Sequence, residues 1–83
     1  MSDAAQSIMD FILSEFLQGE DPRNLTLQTP LVSGGILDSM AILRLASFIE
    51  EKFGVVIEPH EMDAEHMETV ERLSHLLGRK LAS

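Results

Sequence analysis

The chain has 83 residues, 45% of them hydrophobic and 24% charged, and contains no Cys, Trp or Tyr. That length suits one domain, residues 1–83, with a small core; the missing Cys excludes disulfides, thiolate metal sites and a cysteine nucleophile, so any thiol chemistry must be brought in from outside. Fourteen acidic against six basic residues give a formal charge of −8, which argues against nucleic acid and anionic membrane surfaces and favours steered encounter with basic partners.

The N-terminus, Met1 to Gln6, has neither a basic region nor an apolar core and does not read as a signal peptide. No apolar run approaches a membrane span. A cytoplasmic monomer is expected.

Ile8, Ile12 and Phe16 recur at four-residue spacing with Met9, Leu13 and Leu17 alongside, which predicts an amphipathic helix near 3–17, capped by Ser2 or Asp3. Gly19 and Asp21-Pro22 end it. Residues 19–37 read as a long loop, rich in Pro, Gly, Thr and Asn yet carrying Leu25, Leu27, Leu31, Val32, Ile36 and Leu37. Such a loop is uncommon in a compact domain and is often functional; its leucines suggest a strap across the core. A second helix is expected near 38–53, with Asp38 as N-cap and Gly54 just past its end. Val55-Val56-Ile57 has no partner strand and reads as an extended connector. Pro59 opens a short helix near 59–64. Val70, Leu73, Leu77 and Leu81 share one face of a last helix near 69–81, capped by Thr69 or Glu68. The sum is an all-α fold: a small four-helix bundle, three helices longer and one short, with a long loop between the first two.

His60, His66 and His75 match no zinc spacing, although Glu61, Asp63 and Glu65 lie near the first two. The acids Asp63, Glu65, Glu68 and Glu71 do not fit a calcium-loop pattern. No metal site is expected. A Ser-His-acid hydrolase built on Ser39 lacks a separate buried acid, and so small a bundle leaves little room for a water-excluding pocket. Capping alone explains an Asp-Ser pair at a helix start. Ser39, however, also follows a Gly-Gly turn and sits where the helix dipole stabilises an attached phosphate. Stepping about 100° per residue puts Ile42, Leu45, Ile49 and Phe53 on the buried face. Met40, Leu43, Arg44, Ser47, Glu50 and Glu51 fall on the other side. Met40 and Leu43 are then apolar residues on a polar face beside Ser39, a candidate docking patch.

Gly35-Ile36-Leu37-Asp38-Ser39-Met40 resembles the Gly-x-Leu-Asp-Ser-Leu/Met signature of the acyl carrier protein family. Phe53-Gly54-Val55-Val56-Ile57 is similar to that family's stretch after its second helix, and Glu68-Thr69-Val70 followed by Leu73 is similar to the entry into its last helix. The resemblance spans about Ile8 to Leu77. It implies a covalent 4′-phosphopantetheine on Ser39, with Asp38 as its motif partner, installed from coenzyme A by a phosphopantetheinyl transferase. It further implies a non-catalytic carrier that holds acyl or aminoacyl groups as thioesters. A ligase or transferase would load it and downstream acyl-using enzymes would unload it, with Met40, Leu43, Arg44, Ser47 and Glu51 as partner surface.

Fatty-acid carriers of that family place acids at exposed positions of the second helix just after the serine, and here those places hold Ala41 and Arg44. Met40 replaces the usual Leu, and Glu58-Pro59-His60 departs from the usual order after Ile57. The Asp-Ser-Met form resembles carriers dedicated to special or aminoacyl cargo. The competing reading is a small helical interaction module with no prosthetic group, docking through Met40 and Leu43.

Overall fold

The computed structural model describes residues 3–82, which leaves the candidate cap Ser2 outside the described residues. Four α-helices follow in order: α1 Asp3–Phe16, α2 Ser39–Phe53, α3 Ala64–Met67 and α4 Val70–Ala82. Single 3-10 turns lie at Pro22–Asn24 and Pro59–Glu61, and the described residues contain no strand. None of these helices is long and apolar enough to cross a membrane.

The all-α bundle has the expected arrangement. α1 packs against α4 and α2, and α3 against α4. Ile8 and Ile12 from α1, Leu45 and Ile49 from α2, Met67 from α3, and Val70, Leu73 and Leu77 from α4 are all fully buried. Each contributes roughly 1.5–3 kcal/mol over its exposed state. Leu31 joins them from the long loop, with Leu25 and Leu37 also buried. The loop is a strap held by its leucines.

Local chemistry sets the boundaries of α2. Asp38 is extended (φ −97°, ψ −174°) and its carboxylate accepts the Ala41 N–H at 2.8 Å. Loss of such a cap typically costs about 1 kcal/mol. Gly54 ends the helix in the left-handed region (φ +69°), its N–H donating to the Glu50 carbonyl at 2.9 Å. Only glycine adopts that conformation readily.

Two sequence expectations need correction, and one alternative left open is decided. The short helix expected near 59–64 is two pieces, because Asp63 caps a new helix by accepting the His66 N–H at 3.0 Å. At α4, Thr69 rather than Glu68 supplies the cap: Thr69 Oγ1 accepts the Arg72 N–H at 3.1 Å. Leu81 is exposed while Leu76 is buried, since the last turn of α4 runs beyond the core.

Candidate functional site

Ser39 is the first residue of α2 and is exposed. The Asp38 carboxylate turns inward to the Ala41 N–H, and the Asp38 carbonyl takes the Ile42 N–H at 2.9 Å. Among the described residues, the N–H groups of Ser39 and Met40 have no acceptor. The serine hydroxyl thus stands at the positive end of a 15-residue helix beside two open backbone donors. That donor set suits a phosphate ester, whose oxygens accept such hydrogen bonds and whose charge the helix end favours.

The approach to Ser39 is a tight turn. Gly35 has φ +82°, and a Cβ on Gly34 would lie 2.3 Å from the Pro30 carbonyl oxygen. The turn closes on itself, Gly35 N–H donating to Val32 O at 3.1 Å and Leu37 N–H to Leu31 O at 2.8 Å. A distant residue holds its far side. Glu68, at the α3–α4 junction, accepts the Leu31 N–H at its carbonyl (2.6 Å). Its Oε1 accepts the N–H groups of Val32 (2.8 Å) and Ser33 (2.9 Å). Hydrogen bonds from the Ser33 side chain and backbone, then from Val32, hold the Glu68 carboxyl below its ordinary pKa, with Arg72 adding attraction. Glu71 works alongside: its N–H donates to Leu27 O at 3.1 Å and its carboxylate takes the Gln28 amide at 2.8 Å.

The outer face of α2 carries Met40, 69% exposed, and Leu43, 53% exposed, with Arg44, Ser47 and Glu51 also exposed. With Phe11 and Glu15 of α1 and Phe48 of α2 they line an open groove of about 350 Å³. Its floor is the stacked pair Phe11–Phe48, centroids 4.2 Å apart. Arg44 is ion-paired with Glu15 and lies over the Phe16 ring, 5.4 Å from its centroid.

Two residues assigned to this face belong elsewhere. Ala41 is buried, so it points into the bundle and is not an exposed position lacking an acid. Glu50 is half-buried, and its carboxylate accepts the Ile57 N–H at 2.7 Å, fixing the connector after α2.

None of the three histidines lines the groove. Asp63, Glu65 and His66 bring ligand atoms within 4.8 Å of one another, but the Asp63 carboxylate is engaged by the His66 N–H and by its Nδ1 at 2.7 Å. His60 and His75 are exposed and outside that group. Sequence reasoning missed Glu68, Glu15, Phe11 and Phe48. In the sequence Glu68 stands as one of two candidate caps and as the first residue of the Glu68-Thr69-Val70 stretch, and neither signal points to the 31–33 turn.

Residues 12–77 match the family model described as "Phosphopantetheine attachment site". That family is defined by covalent 4′-phosphopantetheine on a serine, and its domains are generally non-catalytic carriers. No curated protein matches the chain. A solved structure described as "Crystal structure of FAD-dependent dehydrogenase" contains a chain 37% identical to this one, with a TM-score of 0.76. The match covers 84% of this chain and 97% of that one.

Proposed function

Since the chain belongs to the phosphopantetheine attachment-site family, we propose that Ser39 is the serine that bears the arm. The observation carrying this reading is the exposed Ser39 hydroxyl at the start of α2, directly after its capping Asp38. The other serines in the matched region have different settings. Ser14 and Ser74 donate their hydroxyls back to helix carbonyls, those of Phe11 and Glu71. Ser33 lies in the clamped turn and Ser47 in the middle of α2.

The proposed chemistry begins with a phosphopantetheinyl transferase. The Ser39 oxygen bonds to the phosphorus of coenzyme A's phosphopantetheine half, the pyrophosphate bond breaks, adenosine bisphosphate leaves, and the serine proton passes to a base. When bound, the arm supplies a thiol that holds an acyl or aminoacyl group as a thioester. The chain's own part is to present Ser39, accept the phosphate at the α2 N-terminus, and offer Met40 and Leu43 to partner enzymes. Tethering raises the effective concentration of the cargo at each partner site. The protein acts as one carrier domain, a cytoplasmic monomer without catalysis of its own.

Two observations favour a specialised cargo. Arg44 stands on the exposed face of α2 where fatty-acid carriers place acids, and Met40 follows the serine. The similarity to a chain in a structure described as "Crystal structure of FAD-dependent dehydrogenase" supports counting a flavin-dependent dehydrogenase among the proposed partner enzymes.

The test is intact mass. Apo-protein is incubated with coenzyme A, magnesium and a broad-specificity transferase. Wild type gains one arm, and Ser39→Ala gains none. No gain in wild type assigns the chain to prosthetic-group-free interaction modules; a gain persisting in Ser39→Ala moves the site.

A further inference from the structure

Glu68 engages three consecutive backbone N–H groups, those of Leu31, Val32 and Ser33. Thr69 already caps α4, so the Glu68 carboxylate has no helical duty. From the clamped residues the path to the serine is short. Leu31 O accepts from Leu37 N–H, Leu37 precedes Asp38, and Asp38 caps the helix that Ser39 starts. We infer that Glu68 is a positioning residue for modification of Ser39: it fixes the 31–37 turn that delivers Asp38 and Ser39 to the transferase. The inference rests on the assignment of the arm to Ser39.

The physical case is the number of donors a single carboxylate oxygen satisfies. Removing it strands the Val32 N–H, which is half-buried, together with that of Ser33. A charge-assisted bond is roughly twice as strong as a neutral one, and both donors lie within a turn that has little slack at Gly34. The Leu31 bond runs to the Glu68 backbone and survives substitution. The expected change is therefore a loosened turn on an intact bundle. Arg72 is the cation facing the carboxylate. Nearby charges are otherwise committed: Glu71 to Gln28 and His66 to Asp63, while the Glu65 carbonyl accepts from Arg72.

The experiment measures kcat and KM for the full-length apo-protein as transferase substrate near neutral pH, well below its melting range. Glu68→Ala is expected to fold by circular dichroism and to lose about tenfold to a hundredfold in kcat/KM, the scale on which small misplacements act. Glu68→Gln keeps an oxygen at the same reach and is expected to restore the rate. In wild type, the Val32 and Ser33 amide resonances should shift together on acid titration, below the ordinary glutamate range; in Glu68→Gln that titration disappears. Ile8→Val, a core change on α1, should leave the rate unaltered. If Glu68→Ala does not fold, Glu68→Asp replaces it, keeping the charge but falling one methylene short, with a reduced kcat/KM expected. A folded Ala or Asp variant modified at the wild-type rate overturns the inference. So does an equal loss in Ile8→Val, which would assign the effect to stability. Ser39→Ala, run in parallel, separates the two claims: its modification overturns the Ser39 reading itself.

Discussion

Gly34 and Pro30 are packed so closely that a Cβ on Gly34 would sit 2.3 Å from the Pro30 carbonyl oxygen. Neither partner is a flexible side-chain end, so the backbone itself must move. Gly34→Ala is expected to destabilise the protein by roughly 1–3 kcal/mol, the cost of overpacking. Gly35 differs: open space surrounds it, but φ is +82°. Gly35→Ala should cost about 1–2 kcal/mol from left-handed strain alone. Thermal denaturation of both variants checks this; an unshifted midpoint in Gly34→Ala contradicts the close approach.

Leu43 and Leu45 are two residues apart on α2 with opposite fates. Leu43 is 53% exposed and Leu45 fully buried. Leu43→Ala should change stability by less than about 0.5 kcal/mol, whereas Leu45→Ala should cost about 2–5 kcal/mol. If Leu43 belongs to the proposed partner surface, Leu43→Ala weakens transferase turnover despite a wild-type denaturation midpoint. A large stability loss with normal turnover would place it in the core instead.

The residues that define helices are local and were legible. Periodicity around Ile8 and Ile12 gave α1, the Asp38 and Gly54 caps bounded α2, and Val70, Leu73 and Leu77 gave α4. Asp63 was legible in type but not in role: Pro59 promised one short helix, and the Asp63 cap starts a second. What could not be read joins distant parts of the chain. Glu68 reaches Val32 across 36 residues and Arg44 reaches Glu15 across 29. Neither pair leaves a spacing signature, because tertiary packing decides which polar groups meet. Ala41 shows the same limit on one helix, since nothing in an alanine itself says that the bundle will cover it.

Acid should loosen the strap before neutral or alkaline conditions do. Glu61, Asp63 and Glu68 all have folded pKa values below the ordinary carboxylate range. The main causes are hydrogen bonds with Lys80, His66 and Ser33, respectively. Each binds fewer protons folded than unfolded, so its contribution is complete above the ordinary carboxylate value. It is lost as pH falls through the depressed folded value. The expected melting temperature is therefore flat with respect to these groups near neutrality and declines on acidification through the carboxylate range. Lys80→Met should shrink the Glu61 part of that decline, because the Lys80–Glu61 pair at 2.7 Å is lost. An unchanged acid slope in that variant would deny the pair its role.

An acidic carrier is expected to meet enzymes through Lys/Arg-lined grooves, where each like-charge juxtaposition disfavours binding. Arg44 introduces such a charge on α2, but the structure tempers it: Glu15 neutralises the guanidinium locally and Phe16 lies beneath it. Glu51 remains as an exposed acid on the same helix. Poor loading by a general fatty-acid ligase is expected, with the defect largest at low ionic strength because steering is screened by salt. Two substitutions should act in opposite directions. Arg44→Glu removes the repulsion and adds an attraction, so loading of the holo-protein should rise. Glu15→Gln strips Arg44 of its partner, so loading should fall further. The measurement is the initial rate of thioester formation at two salt concentrations for wild type and both variants. If wild type is loaded as efficiently as an ordinary fatty-acid carrier and neither variant moves the rate, Arg44 sets no specificity. A housekeeping fatty-acyl cargo would then account for the protein better than a specialised one.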